Sequence, residues 1–467
     1  MSNSGPGSQT SPSSQSTPGT PPSPDTPQNS IPSNIAKSSK PAVQSTTHNT
    51  PQPRPGARAW IAWTLAVIFV VWLFNIQTGF AILKESVQQD LTLSVSQIGL
   101  IASIYTWVFA FCQLFAGALL DKLGSRKVLV PSIFLVGLGA FLFGSAQSFT
   151  MLAIAQAVLA LGACTGFVGA GYVGGVWFGM ARFGAMFGLV QVVAALSSAF
   201  GQAGFDAALA VTDWRGLMIG FAIFGIALLA FAIPLLRNPV APNSISNTNN
   251  TNNPEKTTAT SLITGVFANV LEAARNREVI LVALNCAITF GMQLALGVVW
   301  MPNIARAHGI SDTMAAMTSA ALWLGLAAGS AVINPWTDRI RSRKRPLVIT
   351  TAVMLVALLG MLVLPLNAPL AIALAAIFGA ANGGHMLAFT IAGDNVPERL
   401  IGTASSVVNG AMFLAGGVII AIPASMLEGT AELLADYQRP LVAYAALMVV
   451  AVVLAALVKE SHPARRV

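Results

Sequence analysis

The sequence predicts an all-α polytopic membrane protein with twelve transmembrane helices in two pseudo-symmetric halves of six. Hydrophobic residues make up 54% of the 467 residues and charged residues only 9%, whereas a soluble domain carries about 25% charged residues. Apolar stretches of about 20 residues, the length needed to cross a bilayer, recur along the chain. In addition, matching residues recur at one fixed spacing in the two halves of the chain.

The first element is a polar segment, residues 1–57, rich in Ser, Pro, Thr, Gln and Asn. It has too few large apolar side chains to offset the entropy lost on ordering, so we expect a disordered cytoplasmic tail. It lacks the charged start, short apolar run and cleavage site of a signal peptide. A docking role and an inert tail both remain open.

Six apolar stretches follow the tail, and a polar gap separates them from six more. The expected spans are 60–83, 98–120, 128–147, 151–176, 185–208, 216–236, 279–301, 313–335, 346–365, 368–391, 401–423 and 440–458. The domains are therefore two six-helix halves, 58–236 and 278–459, joined by a cytoplasmic linker at 237–277 and followed by a tail at 460–467. We expect the linker to be flexible and to end in a short amphipathic helix around Leu271–Arg277.

The basic residues predict the orientation. Of the 25 Lys and Arg residues, 21 fall on one side of the predicted span map, and only Lys84, Arg215, Arg306 and Arg439 fall on the other. Basic residues collect in cytoplasmic loops. We therefore expect a multi-pass protein of the cell inner (plasma) membrane with both termini in the cytoplasm. The same rule explains the net charge of +8 without a nucleic-acid partner.

The sequence carries no pattern that points to catalysis. We found no nucleophile–base pair, phosphate loop or metal-ligand spacing, so we expect no enzyme activity, no cofactor and no metal site. The three cysteines, Cys112, Cys164 and Cys286, lie in apolar runs and are interpreted as small core residues.

The internal repeat has an offset of 217 residues. The matching pairs are Asp121 with Asp338, Lys122 with Arg339, Arg126 with Arg343, Lys127 with Lys344, Gly162 with Gly379, Ala163 with Ala380, Gly166 with Gly383, and Arg182 with Arg399. Recurring basic loops would explain the charged pairs but not the glycine register. Two such halves, related about an axis along the membrane normal, predict a rocking body with a solute site between them near mid-membrane.

The loop after the second span carries a recognisable motif. It reads Gly117-Ala-Leu-Leu-Asp121-Lys122-Leu-Gly124-Ser-Arg126-Lys127, and it resembles the signature between the second and third helices of the major facilitator superfamily. The second copy, which contains Asp338-Arg339, is degenerate and lacks the leading Gly. The resemblance covers residues 60–458. It implies the twelve-helix fold of that family and secondary active transport by alternating access.

The resemblance also implies a gating role for this loop. Gly117 allows two helices to approach closely. Asp121 can accept hydrogen bonds from a facing helix N-terminus and from a basic partner such as Arg182, which would latch the halves in the outward-open state. An ordinary solvated charge cluster is the alternative. The expected gating set is Gly117, Asp121, Lys122, Gly124, Arg126, Lys127, Arg182, Asp338 and Arg339.

Two departures from the family pattern bear on coupling. Gln156 stands where many proton-coupled members carry an Arg in the fourth helix. The fifth helix lacks the Gly-Pro pair that is usual in proton antiporters for drugs, which disfavours multidrug efflux. The fourth-helix stretch 166–178 resembles bacterial metabolite and nutrient permeases of the superfamily.

In this superfamily helices 1, 4, 7 and 10 line the cavity, with help from helices 2, 5, 8 and 11. Polar residues in such spans are costly unless they are paired or functional; interhelical hydrogen bonding is the alternative role. His385 is the only histidine inside a predicted span, which makes it the candidate proton-coupling residue. The expected solute-binding residues are Asn75, Thr78, Gln113, Tyr172, Gln191, Asn285, Gln293, Asn382 and His385.

No predicted span holds a Lys or Arg, and no buried Asp or Glu is evident. We therefore expect a neutral or zwitterionic organic solute, or one whose charge is met by helix ends and hydroxyls. The expected function is proton-coupled uptake by a monomer whose partners are the small-molecule solute, membrane lipid and the coupling proton. An exporter on the same scaffold and a transport-dead membrane sensor remain alternatives.

Overall fold

The computed structural model describes residues 56–179, 182–237, 259–426 and 434–465, all of which belong to one compact unit. Every regular element in these ranges is a helix. Nearly all of the predicted N-terminal tail, and the first part of the predicted linker, lie outside the described residues.

The first half consists of seven helices that form six spans, because α4 and α5 belong to one span. The helices are α1 (Ala57–Asp90), α2 (Val95–Leu123), α3 (Ser125–Gly144), α4 (Phe149–Ala163), α5 (Gly166–Phe178), α6 (Phe183–Leu209) and α7 (Trp214–Leu235).

The second half begins after a helix in the linker, α8 (Ala259–Arg275). Its helices are α9 (Arg277–Leu294), α10 (Met301–Ala307), α11 (Asp312–Ile340), α12 (Lys344–Val363), α13 (Ala368–Asn382), α14 (Met386–Asp394), α15 (Ile401–Met426) and α16 (Leu434–Leu457). Within the described ranges, 12 helical spans are long and apolar enough to cross a membrane, which confirms the predicted fold class.

Polar caps fix where several helices begin. Ser94 accepts a hydrogen bond from the Gln97 N–H, and the Gln97 side chain accepts one from the Ser94 N–H, which makes a capping box at the start of α2. The side chains of Asp213 and Asn367 likewise accept a hydrogen bond from a backbone N–H in the first turn of α7 and of α13, respectively. These caps satisfy N–H groups that have no partner inside the helix, and the turns they define separate consecutive spans.

The fourth, seventh and tenth spans are interrupted near their middles. The fourth breaks between α4 and α5 at Cys164–Thr165, the seventh passes through a π-helix at Ala295–Trp300, and the tenth contains a 3₁₀ turn at Gly383–His385. The first and last of these breaks are related by the repeat, since Gly166, directly after the first break, and Gly383, the first residue of the last, are 217 residues apart. Broken helices at mid-membrane expose backbone polar groups, as in transporter binding sites.

The apolar core has two parts. One cluster joins the whole first half to residues of the second half such as Phe290, Phe389 and Val408. The other is confined to the second half and takes in Met292, Leu296 and neighbouring side chains. Since α9 changes cluster between Phe290 and Met292, the two halves share a core over only part of the span depth.

The linker helix is longer than predicted, and the C-terminal segment packs on the bundle. The linker helix starts at Ala259, twelve residues before the predicted position, and ends at Arg275. The described part of the C-terminal tail packs against the α11–α12 loop: Glu460 accepts hydrogen bonds from the Ser342 hydroxyl and from the Arg343 N–H (2.8 Å). Burial alone would raise the pKa of Glu460, but these hydrogen bonds, with those from the next two backbone N–H groups, lower it below the usual value.

Candidate functional site

The α2–α15 contact is the first seam between the halves, and its end near the α2–α3 loop is closed. Asp121 Oδ1 accepts a hydrogen bond from the Gly402 N–H (3.0 Å), and Asp121 Oδ2 accepts from the N–H and the hydroxyl of Thr403 (2.7 Å each). A Cβ on Gly117 would overlap the Gly402 carbonyl. The carboxylate therefore caps the N-terminus of α15, which we call the Asp121 cap (Asp121, Gly402 and Thr403).

The basic partner suggested by the sequence does not take part in this cap. Arg182 is exposed, and among the described residues no ion pair joins it to Asp121. Both carboxylate oxygens of Asp121 instead accept hydrogen bonds from Gly402 and Thr403. We call this end of the bundle, which carries the α2–α3 and α11–α12 loops, the basic end.

The second seam, between α6 and α11, is closed at the basic end in a different way. Asn334 stands 217 residues after Gly117, and its Nδ2 donates to the Gly184 carbonyl (2.7 Å). A Cβ on Gly184 would lie 2.6 Å from Asn334 Oδ1. Asp338, the counterpart of Asp121, has a side chain that is 70% exposed and lies 3.8 Å from His462 Nε2. The degenerate copy of the motif thus closes its seam with the Asn334 amide, whereas the first copy uses the Asp121 carboxylate.

An aromatic cluster fills the space between the seams. Phe167 on α5, Phe187 on α6 and Phe389 on α14 pack with ring centroids 4.5–5.9 Å apart. All three side chains are buried. Because Phe389 belongs to the second half, this cluster seals the two halves together on the basic side of mid-membrane.

In the second half, three predicted residues come together at the breaks. Gln293 Nε2 donates to the Leu322 carbonyl (3.1 Å), and Asn382 Nδ2 donates to Gln293 Oε1 (3.3 Å). His385 Nδ1 lies 2.6 Å from the Asn382 carbonyl, its ring packs on Phe290, and its Nε2 is buried without a partner among the described residues. The chain therefore places an amide pair and an imidazole in one group.

Asn285 does not join this group. Its Nδ2 donates to the Ala451 carbonyl (2.9 Å) and to Thr351 Oγ1 (3.4 Å), so it ties α9 to α16 and α12 within the second half. Thr289, between Asn285 and Gln293 in the sequence, bonds back to the Cys286 carbonyl of its own helix. Of the polar residues of the seventh span, Asn285 and Thr289 thus serve helix packing, and Gln293 belongs to the Gln293–Asn382–His385 group.

The predicted residues of the first half are dispersed. Asn75 Nδ2 donates to Ser197 Oγ (2.8 Å) and joins α1 to α6, and Thr78 bonds to the Phe74 carbonyl of its own helix. Tyr172 is half-buried in α5, and Gln191 is buried on α6. None of these four is hydrogen-bonded to the Gln293–Asn382–His385 group within the described part of the chain.

Gln113 meets the second half at the first seam. Phe109 packs on Phe413 (4.7 Å between centroids), and Gly117 lies against Gly402, so the antiparallel register places Gln113 level with residues 406–410. Asn409 lies in that stretch. Gln113 and Asn409 are both fully buried, and neither amide has a hydrogen-bond partner among the described residues. The seam therefore holds unused hydrogen-bonding capacity at mid-membrane.

A cavity of about 660 Å³ lies at the end of the bundle opposite the basic end. Its wall comes from α1, α2 and α4, together with Val298 of the second half. The polar groups of the wall are the side chains of Gln77, Lys84, Glu85, Gln88, Tyr105, Thr106 and Gln156. This cavity thus lies at the end away from the Asp121 cap and the Asn334–Gly184 contact.

These cavity residues are absent from the predicted binding set. Lys84 was excluded because the first span was expected to end at residue 83, whereas α1 continues to Asp90 and carries Lys84 along the cavity wall. Gln156 was noted only as a departure from the family pattern. The signal that could have found Lys84 is the polar run of Lys84, Glu85 and Gln88 on a helix that has no stop signal after residue 83.

Two six-helix halves related by an internal repeat, with spans that are broken at mid-membrane, are the architecture of secondary transporters. The sequence profile of the Major Facilitator Superfamily matches residues 60–421. The chain belongs to that family.

Several curated bacterial transporters are similar over part of the chain. The "Probable L-galactonate transporter" of Escherichia coli (strain K12) is 24% identical over 162 residues, which are 35% of this chain and 36% of the relative. The "Probable sulfoacetate transporter SauU" of Cupriavidus necator is 26% identical over 163 residues, 34% of this chain and 37% of the relative. The "Probable galactarate/D-glucarate transporter GarP" of Escherichia coli (strain K12) is 27% identical over 188 residues, 38% and 41%. The chain thus spans about two fifths of the length of these relatives.

Proposed function

We propose that the protein is a secondary transporter that moves a small organic solute across the inner membrane by alternating access. The observation that carries this proposal is the asymmetry between the two ends of the bundle. The Asp121 cap and the aromatic cluster close the basic end, while a cavity of about 660 Å³ reaches the opposite end. This is the arrangement of an outward-facing carrier if the basic end lies in the cytoplasm.

For the solute, we propose a small hydroxylated organic acid. Two similar proteins are named as transporters of hydroxylated acids, galactonate and galactarate or glucarate, and a third as a transporter of sulfoacetate, an organic acid without hydroxyl groups. Amide and phenol groups on the cavity wall can pair with solute hydroxyls, and Lys84 on the same wall can attract a carboxylate. A neutral or zwitterionic solute, expected from the uncharged spans, is the competing class.

For coupling, we propose proton-linked uptake with His385 as the proton site. Its Nε2 is buried without a partner among the described residues, beside the Gln293–Asn382 pair at the break of the tenth span. Histidine is the side chain whose charge changes nearest neutral pH. A proton taken up with an acid would also offset the charge of one carboxylate.

The experiment is flux into proteoliposomes, with and without an imposed pH gradient. Labelled galactonate and glucarate represent the acids, and galactose and an amino acid represent neutral and zwitterionic solutes. Acid uptake driven by the gradient supports the proposal. In His385→Ala we expect gradient-driven uptake to be lost while solute exchange across the vesicle membrane continues.

Other outcomes assign the competing functions. Flux of galactose or the amino acid alone would replace the proposed solute class. If the solute moved only from the basic end to the opposite end, the protein would be an exporter. Solute binding without flux of any panel member would favour a transport-dead sensor and overturn the proposal. Reporter fusions at both chain ends test the proposed cytoplasmic location of the termini, and light scattering in detergent tests the proposed monomer.

A further inference from the structure

The linker helix α8 presents three different faces. Ile263, Phe267 and Leu271 follow each other at i, i+4 and i+8, and are 56%, 55% and 52% exposed. At 100° per residue they cover an arc of about 80° on one side of the helix. Val266 and Ala273 form a second, buried apolar face. The third face carries the polar and charged side chains, including Glu272.

The exposed apolar face of α8 is continuous with the lipid-facing surface of the bundle. Phe267 packs on Phe115 with ring centroids 4.8 Å apart, and Phe115 packs on Phe111 at 5.3 Å. Phe111 is 61% exposed and lies in the middle of the second span, Ser96–Leu123. Phe115 lies eight residues, or about 12 Å, before the end of α2. Phe267 is therefore beside a part of α2 that lies within the bilayer.

The same helix contacts both halves of the protein. On the first half, Lys122 at the end of α2 reaches Gly265, where a Cβ would overlap the Lys122 Nζ. On the second half, Glu272 Oε1 accepts a hydrogen bond from Arg399 Nη2 (2.5 Å). Lys122 adjoins Asp121, and Arg399 is three residues before Gly402. Thus α8 lies across the first seam at the level of the Asp121 cap.

We propose that α8 is a membrane-surface helix that inserts Ile263, Phe267 and Leu271 into the lipid leaflet at the basic end and bridges the first seam from there. A helix with one apolar face and one polar face lies in the plane of the interface. The lipid bilayer is the occupant that fits, because the face continues the lipid-exposed aromatic row Phe111–Phe115. Opening of the first seam then requires α8 to break its contact with either Lys122 or Arg399. This proposal does not depend on the solute.

The test measures how deeply single spin labels on α8 enter the lipid. The full chain, with its three cysteines replaced, carries Phe267→Cys or Leu271→Cys, and Ala268→Cys on the polar face serves as the matched control. Each variant is labelled with a nitroxide and placed in nanodiscs of phosphatidylethanolamine and phosphatidylglycerol. We expect the labels at 267 and 271 to collide more often with oxygen than with a water-soluble nickel complex, by several-fold over the label at 268.

Equal nickel accessibility at all three positions would overturn the proposal, because the face would then be in water. Protection from both oxygen and nickel would also overturn it, since the face would then be covered by protein. A distance measurement between labels at Ala268→Cys and the exposed Lys127→Cys, which leaves the Lys122–Gly265 and Glu272–Arg399 contacts in place, keeps the result interpretable. A short distance shows that α8 remains folded on α2 in the labelled protein, so that water exposure cannot be explained by detachment. None of these readouts requires flux, so the proposal can fail while the proposed transport function stands.

Discussion

At the residue scale, Asp121 is the side chain on which closure of the basic end depends most directly. Its carboxylate accepts three hydrogen bonds from Gly402 and Thr403, which belong to the opposite half of the molecule. A hydrogen bond to a charged group contributes roughly 1.5–3 kcal/mol. The Asp121 carboxylate also lies at the N-terminus of α15, where the helix dipole favours negative charge. One side chain can therefore shift the balance between the closed and open basic end.

We expect Asp121→Asn to open the basic end. The amide offers one acceptor oxygen in place of two, and its NH₂ group would face an N–H donor of α15, so the loss should be about 1.5–3 kcal/mol. Spin labels at the exposed Lys127 and Arg345 positions, one in each half, report the opening as a shift to longer distances.

Asp338→Asn is the matched control for this substitution. Asp338 occupies the same place in the repeat but is 70% exposed, and within the described ranges it caps no helix of the other half. We expect its distance distribution to match that of the wild type. If Asp121→Asn left the distances unchanged, or if both variants shifted them alike, the carboxylate would not be what holds the first seam closed.

The sequence identified Asp121 because its motif fixes both residue type and place at a helix end. It did not identify the partners of most buried amides. Asn285, predicted to face the solute, bonds to Ala451 and Thr351 inside its own half. The direction of an amide depends on the rotation of its helix against two or three neighbours. Successive residues are rotated by about 100° around a helix, so a small rotation of the helix changes which neighbour an amide meets. The hydropathy of a nearly all-apolar span does not reveal this rotation.

At the element scale, the break in the tenth span depends on a close approach of two helices. A Cβ on Gly383 would overlap the backbone of Gly329 on α11, and one on Gly379 would overlap Leu322. Only glycine lets α13 pack this tightly, as at small-residue contacts between membrane helices. The repeat predicted this region as well, since Gly379 and Gly383 match Gly162 and Gly166. What the break presents to the solute, the imidazole of His385, required the structure.

We expect Gly383→Ala to destabilise the second half. The added methyl group must push α11 and the 3₁₀ turn apart, and overpacking of this kind costs about 1–3 kcal/mol. Thermal unfolding of the purified protein in detergent measures the loss as a lower Tm. Gly417→Ala on α15 is the control, because nothing lies within 4 Å of its added Cβ. Equal Tm values for the two variants would mean that the tenth span tolerates separation from α11.

The C-terminal segment is a second element whose attachment can be tested, through pH. Glu460 holds the start of α12 through Ser342 and Arg343, and its pKa in the folded protein is lowered. A carboxylate with a lowered pKa stabilises the fold above its unfolded pKa, about 4.3 for Glu. That contribution is lost as the pH falls through the folded value.

We therefore expect Glu460→Gln to lower the Tm at neutral pH, and the difference from the wild type to shrink as the pH falls below about 4.3. Carboxypeptidase digestion gives an independent measure, since the released segment should be trimmed faster in the variant at neutral pH. A Tm difference that stayed constant from neutral to acidic pH would mean that the charge of Glu460 does not hold the segment.

At the scale of the whole molecule, the two seams close the same end by different chemistry. The first seam uses a carboxylate on a helix N-terminus, and the second uses the Asn334 amide on the Gly184 carbonyl. The duplicated halves have therefore both kept a polar contact at this end, but the second copy makes it from the position of Gly117 rather than that of Asp121, and with an amide in place of a carboxylate. A carrier that must open one end needs contacts that can be broken separately from the shared core.

The separability of the two ends yields a prediction for the molecule as a whole. Leu114 and Gly410 face each other across the first seam, and a Cβ on Gly410 would lie 3.1 Å from Leu114 Cγ. This approach suits a disulfide between Leu114→Cys and Gly410→Cys. In a background without the native cysteines, oxidation should lock the first seam closed, so that the basic end cannot open. Transport then stops, while solute added from the opposite side still binds, because the cavity wall is untouched.

Flux and binding are measured on the same preparation before and after reduction. Reduction should restore flux, and each single-cysteine variant should be insensitive to oxidant. Since alternating access requires the basic end to open once in every cycle, full flux through completely cross-linked protein would mean that the solute does not pass between the halves. Loss of binding together with flux would instead mean that the central group and the opposite cavity cannot be occupied while the basic end is shut.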